Sequence, residues 1–219
     1  MASLPDPEQP TITVASREDV PEIFAMIKEL ATYENALDRV EATETSLRRT
    51  LSFEGSHGHT NPGYAKALLL RLPVSPLNAA DTPEAVAGFA LYFTNFSTWR
   101  SKPGIYLEDL FVRGQYRKRG YGRMLIQALA REVLMMDGGR LEWSCLKSNE
   151  PSLEFYRSLG AKEMEDWVQL RVDGGRLEKL ALGKTEAIQT GRRDERTGQV
   201  LQFNRTTSTA DDMPRILGS

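Results

Sequence analysis

Leu110-Phe-Val-Arg-Gly-Gln-Tyr-Arg-Lys-Arg-Gly-Tyr-Gly-Arg123 is the stretch on which the fold of this chain turns. A strand ending at Val112 runs through a basic, glycine-containing turn into a helix opening near Gly120. Such a turn presents unpaired backbone N–H groups, and the helix dipole adds about half a positive charge there. Gly120 and Gly122 lack a Cβ, so the backbone can approach a ligand closely. Arg117, Lys118, Arg119 and Arg123 supply further positive charge. The arrangement suits a pyrophosphate, with a solvated basic turn as the plainer alternative. No Gly-x-x-x-x-Gly-Lys-Ser/Thr occurs, which excludes a Walker loop. Leu125 stands where a dinucleotide fingerprint needs a third small residue.

Outward from this stretch the pattern alternates between strand and helix. Ile12–Ala15, Ala65–Leu72, Ala85–Phe93 and Ile105–Val112 read as strands. Asp19 stands as N-cap to a helix with Ile23, Ile27, Leu30 and Ala31 on one face. A second helical stretch covers about Glu44 to Leu51. From Tyr121, the residues Leu125, Ile126, Leu129, Ala130, Val133 and Leu134 form an apolar stripe, ended by Asp137-Gly138-Gly139. Leu141, Trp143 and Cys145 alternate as on an interior strand. Asn149 then caps a short helix with Pro151 in its first turn, and another strand is expected around Trp167–Val172. Residues 1–10 read as a flexible leader, 11–183 as one α/β domain, 73–83 as a projecting loop and 184–219 as a mobile polar tail.

Bulk properties narrow the classes. The 219 residues are 40% hydrophobic and 26% charged, as in an ordinary globular protein, and the net charge of −2 disfavours a nucleic-acid partner. No apolar run approaches the roughly 20 residues of a membrane span, and the N-terminus lacks the regions of a signal peptide. One cysteine, Cys145, allows no intrachain disulfide and fits a reducing compartment. A cytoplasmic location is the expectation. Cys145 reads as an inert buried thiol rather than a nucleophile. His57 and His59 lack a third ligand nearby, so no metal site is expected.

The pattern Arg117-x-x-Gly120-x-Gly122 after a strand ending in Val resembles the acetyl-CoA signature of GNAT acetyltransferases. Asn149-Glu-Pro-Ser-Leu-Glu-Phe-Tyr156-Arg-Ser-Leu-Gly-Ala161 resembles that superfamily's later motif, and the two occur in the expected order. Within it, Ile27-Lys-Glu-Leu-Ala-Thr-Tyr-Glu34, Tyr92–Trp99, Tyr106–Val112 and Trp143–Ala161 resemble the spermidine/spermine, diamine and thialysine acetyltransferase branch. The similarity spans roughly residues 11–182.

The resemblance implies a GNAT fold: a mixed, mostly antiparallel sheet, helices on both faces, and a bulged strand splayed from its neighbour so that free backbone groups pair with the pantetheine arm. It implies acetyl-CoA as co-substrate, held by Leu110, Phe111, Val112, Arg117, Lys118, Arg119, Gly120, Tyr121, Gly122, Arg123, Asn149, Pro151, Ser152 and Tyr156. Tyr156 matches the general acid for the departing sulfur, its alternative being a packed aromatic beside Phe155. Glu108 matches the carboxylate that removes the amine proton through water; it reads equally as a substrate ligand or a structural acid. A buried carboxylate there would have a raised pKa, and Asp109 on the opposite side reads as its structural partner. Tyr33, Glu34, Trp99 and Glu165 match a pocket for a cationic amine, with surface charge or core packing as their alternatives.

The resulting expectation is direct transfer of acetyl from acetyl-CoA to a polyamine, diamine or lysine-like amino acid in a ternary complex. Protein lysine or N-terminal amines, or a non-catalytic acyl-CoA-binding module, are the competing readings. The resemblance also implies a homodimer.

Overall fold

The computed structural model describes residues 9–53, 63–73 and 85–184. The leader, the projecting loop, the tail, His57 and His59 lie almost wholly outside these residues. The chain divides into two compact units, Met1–Lys162 and Glu163–Ser219.

In the first unit, runs of β-branched, Leu and aromatic residues build five strands. They are β1 (Thr11–Val14), β2 (Lys66–Arg71), β3 (Val86–Ser97), β4 (Lys102–Val112) and β5 (Leu141–Trp143), in the order β1-β2-β3-β4-β5. Neighbours are antiparallel except for β4 and β5, which are parallel. This is the expected mixed sheet. Its two faces carry separate cores. Leu69, Phe89, Leu91 and Phe111 pack with Val20, Ile23 and Met26 of α1 (Val20–Tyr33) and Leu47 of α2 (Glu44–Thr50). Leu68, Leu70, Ala90, Tyr92, Ile105 and Leu107 pack with Leu125, Ile126, Leu129 and Val133 of α3 (Tyr121–Met135). Each fully buried Leu or Phe contributes about 1.5–3 kcal/mol. The helix α4 (Glu150–Ser158) adds Tyr156 to the edge of that second core.

Helix ends follow local chemistry. Asn35 takes a left-handed φ of 56° just beyond α1, and the Ala36 N–H returns to the Ala31 carbonyl at 2.8 Å. Asn149 caps α4 as expected, its Oδ1 accepting the Ser152 N–H at 3.3 Å. Asp19 stands at the N-cap of α1 but makes no cap bond there. Its carboxylate instead accepts the Ser16 N–H and hydroxyl and pairs with Arg71 at 2.7 Å.

Four expectations need correction. Leu134 is exposed, because it lies one residue beyond Val133 and turns off the buried stripe. The strand expected to hold Cys145 stops at Trp143 and is the last in the sheet, not an interior one, and Cys145 lies beyond its end, half-buried rather than buried. Residues Trp167–Val172 form no strand, and Trp167, Val168, Leu170 and Val172 are exposed. Alternation makes a strand only where a neighbour takes its backbone groups, and the described residues of the second unit contain none. That unit's one described helix is α5 (Gly174–Ala181).

Arg113, just past β4, ties α1 to the sheet. Its guanidinium bonds Glu29 at 2.8 and 3.1 Å, Glu22, and the Val86 carbonyl at 3.0 Å, with only 18% of the side chain exposed. Arg113→Met is expected to lower unfolding stability by about 2 kcal/mol, whereas Lys102→Met, which breaks an exposed pair with Asp137, should cost under about 0.5 kcal/mol. Equal shifts in urea midpoint would contradict this ranking.

Candidate active site

The site is set by an irregularity in β4. Leu91 of β3 pairs with Asp109, but the next residue, Tyr92, pairs with Leu107. Glu108 is thus the extra residue of a β-bulge. The bulge changes the phase of the strand: Ile105 and Leu107 face α3, and so do Leu110 and Val112, three residues on instead of two. Phe111 faces α1. Asp109 shares its phase and looks towards the C-terminal end of that helix.

The same irregularity opens the strand edge. The β4–β5 ladder ends at Leu107–Trp143. The Arg113 N–H reaches across to Ala87 O of β3 at 2.9 Å, so alternation turns the N–H groups of Leu110 and Val112 the other way. Among the described residues no strand lies beside them. The expected splayed pair is present, with its open edge at Leu110–Val112.

Beyond Val112 the chain makes the basic turn. Lys118 and Gly120 both take left-handed conformations, with φ 62° and 84°. A Cβ at Gly120 would meet nothing within 4 Å, whereas one at Gly122 would come within 3.4 Å of the Phe155 ring. Gly120 therefore faces open space, whereas Gly122 lies where a side chain would touch Phe155 of α4. Arg117, Lys118, Arg119 and Arg123 are all exposed.

Tyr156 sits between Trp143 and Phe155, its ring 5.0 and 5.2 Å from theirs. Burial pushes its pKa up to about 12, with Cys145 and Glu34 adding to the shift. Glu34, just after α1, also acts on Asp109. Burial first, then Glu108 and Glu34, raise the Asp109 carboxyl to about 6. The half-buried carboxyl with the raised pKa is Asp109, while Glu108 is exposed. Sequence alternation marked Asp109 only as a partner, because the bulge that turns it inward is invisible to a period of two. The step of three from Leu107 to Leu110 was the available signal.

The remaining residues divide. Tyr33 lies under the Arg117 guanidinium, 4.6 Å from its ring centroid. Trp99 is 93% exposed in the turn after β3. It lies two residues past Ser97, which is six residues along β3 from the Asp109 level, so about 20 Å separates it from Asp109. Within this chain Trp99 lies far along the sheet from Asp109. Glu165 is exposed in the second unit. No cluster of three or more metal-ligating side chains occurs among the described residues.

Residues 43–161 match the acetyltransferase (GNAT) family. This chain belongs to that family. It is 28% identical to an L-ornithine N5-acetyltransferase of Arabidopsis thaliana, over 77% of this chain and 86% of that protein. It is 30% identical to a thialysine N-epsilon-acetyltransferase of Bos taurus, over 78% and 96%. An integron cassette protein from the mobile metagenome of V. cholerae has the same fold, with a TM-score of 0.60 at 25% identity, over 78% and 97%. GNAT acetyltransferases use acetyl-CoA, and the chain fits it on three counts: the open edge at Leu110 and Val112, the free space at Gly120, and the exposed cations of the turn.

Asp109 generates a pH signature. Its folded pKa of about 6 exceeds the ordinary 3.8, so it carries no penalty below pH 3.8 and a growing one from there to pH 6. Asp109→Asn should therefore gain about 2–3 kcal/mol of relative stability between pH 3.5 and pH 8. Denaturant unfolding across that range checks it, and a wild-type-to-variant difference that stays flat with pH would contradict it.

Proposed function

We propose that this protein transfers acetyl from acetyl-CoA to the primary amine of a small cationic acceptor, by direct attack in a ternary complex. The acceptor classes are an ornithine- or thialysine-like amino acid, a diamine or a polyamine. The observation that carries this reading is the placement of Glu34 at the end of α1, near enough to raise both the Asp109 carboxyl and the Tyr156 phenol beside the open edge of β4. Three acidic side chains there, with Glu108, suit an ammonium group. The end of α1 adds the partial negative charge of a helix C-terminus. The named acceptors of the two relatives, ornithine at N5 and thialysine at its ε nitrogen, belong to the same chemical class.

Acetyl-CoA supplies the acetyl group as a thioester. The chain's part is to hold, to deprotonate and to reprotonate. The N–H groups of Leu110 and Val112 would take the pantetheine arm and polarise the thioester carbonyl. Arg117, Lys118, Arg119 and Arg123, with the backbone of Gly120, Tyr121 and Gly122, would take the pyrophosphate. Asn149, Pro151 and Ser152 would frame the arm at the start of α4. The acceptor arrives as an ammonium ion and must lose a proton before its nitrogen can attack. Asp109, ionised above pH 6, can receive that proton directly or through Glu108 in the bulge. The Tyr156 phenol, held protonated by burial, carries a proton for the sulfur as the carbon–sulfur bond breaks.

CoA release with ornithine, thialysine and spermidine tests the reading. Turnover of at least one is expected, with kcat of Tyr156→Phe lower by about 100-fold or more. If none is acetylated, the small-amine acceptor is wrong. If Tyr156→Phe keeps full activity, the proton comes from elsewhere.

A further inference from the structure

Arg117 lies where the two halves of the proposed site meet. It belongs to the basic turn, yet its side chain makes three contacts outside that turn. Its guanidinium carbon lies 4.6 Å from the Tyr33 ring centroid and 5.6 Å from that of Phe111, and its Nε donates to Val112 O at 2.9 Å. Among the described residues no carboxylate pairs with it. Its neighbours in the turn behave differently. Arg119 stacks on Tyr116, within the same segment, and Arg123 reaches Ser158 of α4. Arg117 alone of these three spans from the phosphate turn to the end of α1.

Tyr33 immediately precedes Glu34. An aromatic face beside a carboxylate is what a cationic acceptor would use, and in this structure that face already holds a cation. We propose that Arg117 couples the two substrates: in the free protein its guanidinium occupies the Tyr33 face that a cationic acceptor uses, and the phosphates of acetyl-CoA draw it off. This rests on the acceptor reading above. A half-exposed cation–π contact is weak, and a bidentate guanidinium–phosphate pair is stronger, so bound phosphate wins the side chain. Its departure frees the ring face and removes a positive charge that would repel the incoming ammonium. Because such coupling is reciprocal, a bound amine tightens CoA by the same factor.

The strength of the displaced stack sets the size of the effect. Releasing an exposed cation–π pair corresponds to about two- to five-fold in affinity, and removing the repulsion adds to it. An acceptor affinity raised about five-fold by CoA is the expected effect.

Calorimetric titration of thialysine, ornithine and spermidine into the full chain tests this, run alone, with saturating CoA and with saturating pantetheine. CoA should tighten amine binding about five-fold, and pantetheine, which lacks the phosphates, should not. Arg117→Gln should bind amine without CoA as tightly as wild type does with it, and lose the coupling. Tyr33→Phe, which keeps the ring, should retain the coupling, whereas Tyr33→Leu should lose it. Circular dichroism establishes that each variant is folded. Equal amine affinity with and without CoA in the wild type would overturn the proposal, as would full coupling in Arg117→Gln. Amines turned over but uncoupled would remove this inference alone. Amines neither bound nor turned over would remove the acceptor reading and this inference with it.

Discussion

Backbone hydrogen bonds left without a strand partner organise this molecule. A buried N–H or C=O must find a partner, and in a sheet that partner is normally the next strand. At Glu108 one extra residue enters β4, and beyond Leu107 the parallel ladder to β5 is gone. The Leu110 and Val112 donors therefore face the gap where a neighbour would lie. A rigid sheet presenting free donors at a fixed spacing can bind an extended ligand as an added strand. The fold tolerates the gap because both faces of β4 remain packed, with Phe111 against α1 and Ile105 and Leu107 against α3.

The bulge also distributes charge. It turns Asp109 towards Glu34 and leaves Glu108 in solvent, so adjacent acids in one strand acquire different environments. Across from them, Tyr156 keeps its phenolic proton under the same burial. A raised carboxyl and a raised phenol, each influenced by Glu34, are what the proposed pairing of a proton acceptor with a proton donor requires. On the far side of the opening, the Arg117–Tyr33 stack joins the basic turn to the end of α1. Three chain segments that are distant in sequence thus meet at one edge of the sheet.

Much of this was legible in the residues. The strand–turn–helix around Gly120, the Asn149 cap and the two faces of the sheet follow from period and cap chemistry, and the family motifs pointed to the splayed pair. What escaped depends on register. β3 runs on to Ser97 rather than ending at Phe93, which lengthens the hairpin and carries Trp99 away from Asp109. Asp109 reads as Glu108's partner until the pairing of Leu91 reveals the bulge. Alternation predicted strands through Cys145 and at Trp167–Val172, but alternation describes one chain and pairing needs two. Arg113 carried no signal of its own in the sequence, and only packing separates its tie to Glu22 and Glu29 from the Arg117 stack on Tyr33.

Amide hydrogen exchange of Leu110 and Val112 tests the open-edge account most directly, with Ile105 as an internal reference already inside the β4–β5 ladder. Adding saturating acetyl-CoA should slow exchange at Leu110 and Val112 by well over about ten-fold and leave Ile105 nearly unchanged. Unaltered exchange at both amides, with acetyl-CoA demonstrably bound, would contradict it.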